Sequence, residues 1–127
     1  MARTGGGSFV NISTNAALAA VPGLGAYGAA KAGVIQLTRQ IAVECAAQGI
    51  RANSITPGVI MSPMIAALVG TLDRARLDAD LVRGPGQPAQ LAAVVAFLAS
   101  EAASAITGEI ISADGGIHST VNLYPTV

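Results

Sequence analysis

The spacing of apolar residues along the chain predicts three short strands and two longer helices. Short apolar runs bounded by turn-forming residues, which are typical of buried strands, lie at residues 8–13, 50–56 and 109–113. Apolar residues at helical spacing predict helices over residues 26–48 and 88–100. Gly49 is suited to end the first helix, and Pro88 is suited to the first turn of the second.

The elements alternate as strand, helix, strand, helix, strand. This order predicts an α/β fold with a doubly wound parallel sheet, because helical crossovers join parallel strands. The length of 127 residues is that of one domain, which we expect to span 1–127. Ligands of such sheets bind at the carboxyl ends of the strands, where Thr14, Pro57 and Asp114 follow the three predicted strands.

The first predicted helix carries apolar residues on more than one stripe, which is typical of a helix covered on two sides. We expect the sheet on one side and a partner chain on the other. Charged residues are only 11% of the chain, which agrees with a surface hidden against a partner. Aromatic residues are 3%, so the core is predicted to consist of Ala, Val, Ile and Leu.

Composition and charge argue against several classes of function. The net charge is zero and there is no basic block, which argues against nucleic-acid binding. No stretch reaches the ~20 apolar residues of a membrane span, and residues 1–8 lack the apolar centre of a signal peptide. A cytoplasmic protein is therefore expected. The single Cys45 excludes an internal disulfide and a cysteine-based metal site, and its context predicts a buried thiol.

Residues 59–86 are predicted to be a loop with short helical pieces. Six of the 14 charged residues cluster there, either as a solvated face or as a mobile lid over a ligand: Asp73, Arg74, Arg76, Asp78, Asp80 and Arg83. After the last strand, Asp114-Gly115-Gly116 is expected to form a structural turn. His118 follows in an irregular tail and is expected to be polar surface, so no metal site is predicted.

Tyr27 and Lys31 are the strongest candidates for chemistry. They are four residues apart at the start of a predicted helix and therefore share one helical face. A nearby ammonium favours phenolate, so we expect Lys31 to lower the pKa of the Tyr27 phenol. A tyrosine tuned in this way exchanges a proton with an alcohol or carbonyl oxygen near neutral pH.

Several ordered segments together resemble the carboxyl-terminal half of a short-chain dehydrogenase/reductase. They are Asn11-Ile12-Ser13-Thr14, the Y-x-x-x-K of Tyr27 and Lys31, Asn53-Ser54-Ile55-Thr56-Pro57-Gly58, Gly86-Gln87-Pro88, Phe97-Leu98-Ala99-Ser100, and Thr107-Gly108 with Asp114-Gly115-Gly116. The resemblance implies a partial Rossmann-like sheet. It also implies an oxidoreductase that uses NAD or NADP to interconvert a small-molecule alcohol and a carbonyl.

The resemblance implies a role for each matching residue. Tyr27 corresponds to the general acid/base, and Lys31 to the residue that tunes it and holds the nicotinamide ribose. Thr14 stands where the family usually has a serine that hydrogen-bonds the substrate oxygen, and threonine offers the same hydroxyl. Ser13 is the alternative for that role, although its position, like that of Ile12, more often forms part of the cofactor floor.

The segment after the second strand resembles the loop that holds the nicotinamide carboxamide. The implied cofactor-binding residues there are Pro57, Gly58, Ile60 and Ser62, with the backbone acting at Ile60 and the hydroxyl at Ser62.

The family's glycine-rich turn, which binds the dinucleotide phosphates, has no counterpart in the sequence. Gly5-Gly6-Gly7 precedes a strand instead of following one. We therefore expect weak or no dehydrogenase activity from this chain alone. The alternative is a non-catalytic module that self-associates through helix 26–48 or pairs with a complementary chain. Without a neighbour, the first strand would be an open apolar edge.

Overall fold

Three parallel strands form the sheet that positions the candidate site. The computed structural model describes residues 1–69 and 85–119. In these ranges the strands are β1 (Gly7–Ile12), β2 (Ile50–Pro57) and β3 (Ile110–Ala113), in the order β1-β2-β3. The pairing is in parallel register, with Ile12 opposite Ile55 and Ile55 opposite Ile111. The predicted α/β fold with a parallel sheet is confirmed.

Two long helices cover opposite faces of this sheet. They are α1 (Gly25–Glu44) and α3 (Pro88–Ala99), with the short α2 (Pro63–Val69) between them. Val10 packs against the core cluster that contains Leu98 of α3, whereas Asn11 donates a hydrogen bond to Thr38 of α1. Because neighbouring strand residues point to opposite faces, α1 and α3 lie on different sides of β1, as in a doubly wound sheet.

The first helix ends earlier than the predicted 26–48. It stops at Glu44, and residues Ala46–Gln48 form a separate 3-10 turn. Gly49 then adopts φ 70°, a left-handed conformation that glycine accepts without steric cost, as its predicted role at a helix end requires. The tightening of the chain after Cys45 is a change of hydrogen-bond pattern that apolar spacing does not reveal.

Among the residues that the structure describes, only one side of α1 is covered. Its buried residues are Gly28, Ile35, Thr38 and Ala42. On the other side, Leu37 is 56% exposed and Val43 is 77% exposed. The prediction that the sheet covers one side of this helix therefore agrees with the structure, and the second apolar stripe is exposed.

The core lies mainly between β2 and α3. Ile55, Leu98 and Ala103 are fully buried and form its centre, and partly buried aliphatic residues pack around them. Arg51 of β2 fastens the end of α3, because its guanidinium donates to the carbonyl oxygens of Leu98 and Ser100. The core is aliphatic, as the low aromatic content predicts.

The outer edge of β1 is unpaired among the described residues. β1 pairs with β2 on one side only, and Phe9 and Ile12 remain 38% and 39% exposed. Pro57 belongs to β2 rather than breaking it, and it is buried at the end of the strand. In the loop after β2, a bridge between Ile60 and Gly86 and the short helix α2 agree with the predicted loop with helical pieces.

Two predicted features lie outside the described residues, namely the charged cluster of residues 73–83 and the tail after residue 119. Within residues 1–69 and 85–119, no helix has the length and apolar character needed to cross a membrane. In the same ranges, no group of three His, Cys, Asp or Glu side chains could hold a metal ion.

Candidate active site

The chain leaves β1 through a short turn that presents Thr14. Ser13 extends the ladder by donating its N–H to Ile55 O at 2.8 Å, and Thr14 then begins the 3-10 helix Asn15–Ala17. We call residues 14–17 the Thr14 turn. The Thr14 Oγ1 accepts a hydrogen bond of 3.4 Å from Ala16 N, so the hydroxyl keeps its proton for donation to another acceptor.

The Thr14 turn packs directly against the first turn of α1, which carries Tyr27. A β-carbon built on Gly28 would lie 2.6 Å from the carbonyl oxygen of Ala16, a distance that real β-carbons do not reach. Glycine at this position therefore allows the two segments to approach. The Tyr27 side chain is 47% exposed and remains accessible to a ligand.

Lys31 is held between β1 and its own helix by two reciprocal hydrogen bonds. Its Nζ donates to Ile12 O at 2.9 Å, and the Ser13 Oγ donates to Lys31 O at 2.8 Å. The same Nζ lies 6.0 Å from the centroid of the Tyr27 ring. The structure thus brings Ile12, Ser13, Thr14, Tyr27 and Lys31 into one group at the carboxyl end of β1.

The remaining predicted residues form a second group after β2. Gly58 packs against Asp114, since a β-carbon on Gly58 would lie 3.0 Å from the Asp114 Cβ. Ile60 is fixed by its bridge to Gly86, and Met61 N donates to Gly86 O at 2.8 Å. The Ser62 Oγ accepts from Ile65 N at 3.2 Å and caps α2. These residues are half-buried, except Pro57, which is buried.

Asp114 connects the two groups and has a larger part in the site than its predicted turn suggests. Its side chain is 2% exposed, and its Oδ2 accepts a hydrogen bond of 2.8 Å from Asn15 Nδ2. Further donors are Gly116 N at 2.9 Å, His118 N at 3.1 Å and His118 Nδ1 at 2.7 Å. Burial raises the pKa of the Asp114 carboxyl, but these four hydrogen bonds outweigh burial and lower the pKa to about 2.

The pairing of Asp114 is the functional relationship that sequence reasoning missed. His118 is exposed, as expected of polar surface, but it is paired with a carboxylate and its Nε2 lies 3.2 Å from the Ser119 Oγ. The local signal was the turn itself, since an Asp before two glycines folds the next residues back towards its carboxylate. The contact with Asn15 has no local signal, because 99 residues separate the partners.

Two cavities adjoin these groups. One of about 600 Å³ lies at the carboxyl end of β3, with Ile60, Gln87, Ser112, Asp114 and His118 in its lining. The other, of about 360 Å³, lies between the Thr14 turn and α1, and the described residues that line it are all Ala, Gly, Leu or Val. The first cavity offers polar side chains to a ligand, whereas the second offers aliphatic side chains together with backbone polar atoms.

The polar groups of this edge suit the nicotinamide end of a dinucleotide. An ammonium has three donors, and Lys31 uses one on Ile12 O, which leaves donors for ribose hydroxyls. The glycine run near the amino terminus has another task. A β-carbon on Gly6 would lie 2.2 Å from Gly49 O, so Gly6 allows close packing on the turn after α1.

Comparison with known proteins places this geometry in context. A family profile described as enoyl-(acyl carrier protein) reductase matches residues 1–118. The 7α-hydroxysteroid dehydrogenase of Bacteroides fragilis is 42% identical over 129 residues, which covers 97% of this chain and 49% of that protein. The chain spans about half the length of the curated relatives it matches.

Solved structures also resemble this chain. A short-chain type dehydrogenase/reductase from Mycobacterium ulcerans matches with a TM-score of 0.86 and 39% identity, over 92% of this chain and 43% of that one. The structure of ElxO with NADP bound matches with a TM-score of 0.87 and 32% identity, over 94% of this chain and 50% of that one. The fold is therefore shared with oxidoreductases of known structure.

Proposed function

Because the chain belongs to the short-chain dehydrogenase/reductase family, we propose that it is the proton-transfer part of an oxidoreductase that interconverts an alcohol and a carbonyl with NAD or NADP. One observation carries the proposal most directly. Lys31 is anchored on Ile12 O with its ammonium 6.0 Å from the ring of the exposed Tyr27. A tyrosine that is open to ligands and has a fixed cation beside it is suited to acid/base work.

In this proposal Tyr27 exchanges the proton. During reduction its hydroxyl donates a proton to the carbonyl oxygen of the substrate, and during oxidation the phenolate accepts the proton of the alcohol. The Lys31 ammonium provides a fixed positive charge beside the group that exchanges the proton. The Thr14 hydroxyl, whose oxygen already accepts from Ala16 N, donates to the substrate oxygen and polarises it.

The cofactor supplies or accepts the hydride when it is bound. Lys31 would hold the ribose hydroxyls with its remaining donors. The Ser62 oxygen accepts from Ile65 N at the start of α2, so the Ser62 hydroxyl proton would be available to the carboxamide. Ile12 and Ser13 would form the floor beneath the nicotinamide, and the backbone of Pro57, Gly58 and Ile60 would form the wall. ElxO with NADP bound supports this cofactor class.

The test uses the chain alone and a chimaera in which it replaces the matching half of the Bacteroides fragilis 7α-hydroxysteroid dehydrogenase. We expect weak or no turnover from the chain alone. In the chimaera we expect 7α-hydroxysteroid oxidation, followed by nicotinamide absorbance with NAD and with NADP. Tyr27→Phe should lower turnover by about 10²–10⁴-fold. The proposal would be contradicted if the Tyr27→Phe chimaera kept its turnover. It would also be contradicted if no sample, including the unmutated chimaera, turned over the substrate.

A second proposal concerns association, and two exposed apolar side chains of α1 support it. Leu37 and Val43 are more than half exposed on a helix whose opposite side packs on the sheet. We propose that copies of the protein associate through this face, with or without catalytic activity. Size-exclusion chromatography with light scattering should give a dimer or larger, and Val43→Glu should reduce the mass. A monomer at all concentrations would exclude this association.

A further inference from the structure

The hydrogen bond between Asn15 and Asp114 spans the whole width of the sheet. Asn15 lies just after β1 and Asp114 just after β3, and β2 separates these strands. The bond therefore closes over the carboxyl end of β2, where Gly58 packs against the Asp114 side chain. One buried carboxylate contacts both the Thr14 turn and the loop after β2.

The chemistry of Asp114 fixes the orientation of Asn15. An ionised carboxylate is only an acceptor, so the amide nitrogen of Asn15 must face it. The Asn15 Oδ1 is then buried and has no donor among the described residues, which shows that the amide is held by its nitrogen alone. The Asp114 carboxylate is itself held by Gly116 N and by both His118 donors.

The backbone of Asn15 also holds the Thr14 turn together through hydrogen bonds. Its carbonyl oxygen accepts from Leu18 N at 2.9 Å and from Ala19 N at 3.1 Å. The preceding carbonyl, of Thr14, accepts from Ala17 N at 3.0 Å. A movement of Asn15 would therefore move the backbone that orients the Thr14 hydroxyl.

We propose that Asn15 and Asp114 form a positioning pair that holds the Thr14 hydroxyl in place for the substrate oxygen. The proposal rests on the proposed function, since it assigns the pair a task in the same reaction. Asp114 acts through Asn15 and touches no reacting atom. Its contact with Gly58 sets the spacing between the Thr14 turn and the loop proposed to hold the nicotinamide.

The first measurement is amide hydrogen exchange on the 127-residue chain, which needs no activity. Asn15→Ala removes the bridge and leaves Asp114 its other three donors. His118→Ala is the matched control, because it removes a side-chain donor from the same carboxylate oxygen without touching the Thr14 turn. We expect exchange at Ala17, Leu18 and Ala19 to rise about tenfold or more in Asn15→Ala and to stay within about threefold in His118→Ala.

The second measurement is steady-state kinetics of the chimaera. A displaced hydroxyl lowers kcat by about 10–10²-fold in Asn15→Ala, while the KM of the cofactor is unchanged because Gly58 still packs on Asp114. A merely structural bond would instead lower kcat equally in Asn15→Ala and His118→Ala. Thermal melting curves of both variants show whether a lower kcat comes from unfolding or from displacement of the Thr14 hydroxyl.

The outcomes separate the two proposals. Unchanged exchange at the three amides, or an equal loss of kcat in Asn15→Ala and the control, would overturn the positioning pair. If Tyr27→Phe abolishes turnover while Asn15→Ala is fully active, only the positioning pair fails. If Tyr27→Phe is fully active, the proposed function fails, and the pair loses its catalytic task even if exchange at the three amides increases.

Discussion

Gly28 lies so close to Ala16 that a β-carbon added to the glycine would stand 2.6 Å from the alanine carbonyl oxygen. The obstacle is backbone and not the flexible end of a side chain, so a larger residue must push the Thr14 turn away from α1. Gly28 is also next to Tyr27 in the sequence. The distance between the Thr14 turn and the helix of Tyr27 therefore depends on the absence of a side chain.

We predict that Gly28→Ala destabilises the protein by about 1–3 kcal/mol, because overpacking outweighs the better helix propensity of alanine. Gly33→Ala in the same helix is the matched control. Among the described residues, no neighbouring segment lies within 4 Å of a β-carbon at Gly33, so this change should stabilise the protein by up to about 1 kcal/mol. Denaturant unfolding of both variants measures the difference, and equal effects would show that the contact with Ala16 is unimportant.

The elements that local pattern encodes were predictable from the sequence. The three strands, the helix beginning near Tyr27 and the left-handed Gly49 all depend on apolar period and on single turn-forming residues. The Tyr27 and Lys31 pair was predictable for the same reason, since four residues of one helix set their separation. The remaining proposed site residues lie at or just after the carboxyl ends of β1 and β2, where the predicted strand order puts them.

Relationships between distant segments were not predictable in this way. The bond of Asn15 to Asp114 requires the strand order, because it joins loops at opposite sides of β2. The end of α1 at Glu44 reflects a local switch to 3-10 bonding that leaves the apolar pattern intact. The need for glycine at position 6 likewise comes from its packing against Gly49, which the sequence does not show. Such features depend on tertiary packing and leave little trace in a short window of sequence.

The Asp114 carboxyl should make stability depend on pH in the acid range. Its pKa falls from an ordinary 3.8 to about 2, so the folded state favours the ionised form. The stabilisation is complete above about pH 4 and is lost as the pH falls towards about 2, which amounts to about 2 kcal/mol. Asp114→Asn should flatten this part of the profile, whereas Glu101→Gln, at an exposed carboxylate, should not. Urea unfolding at stepped pH is the measurement, and an unchanged slope in Asp114→Asn would contradict the prediction.

Arg51 should contribute strongly to the stability of the α3 end. Its Nη1 donates to Leu98 O at 3.0 Å and its Nη2 to Ser100 O at 3.0 Å, so one side chain satisfies carbonyls at the helix terminus. Arg51→Ala should cost about 2 kcal/mol, and Arg51→Lys should recover only part because an ammonium lacks the fork of donors. Arg39→Ala, at an exposed position of α1, should change stability by less than about 0.5 kcal/mol. Thermal unfolding tests the order of the three variants.

Thr14 should tolerate loss of its methyl group but not of its hydroxyl. The Oγ1 accepts from Ala16 N, and in the proposed reaction its proton is donated to the substrate oxygen. Thr14→Ser keeps both functions, so kcat/KM of the chimaera should remain within about threefold, whereas Thr14→Val keeps the shape and should lose about 10²–10³-fold. The loss in Thr14→Val should appear in kcat and not in cofactor binding, because Lys31 and Ser62 are the proposed cofactor contacts. If Thr14→Val were as active as Thr14→Ser, the hydroxyl would have no part in the reaction and Ser13 would become the candidate, although its Oγ already donates to Lys31 O at 2.8 Å.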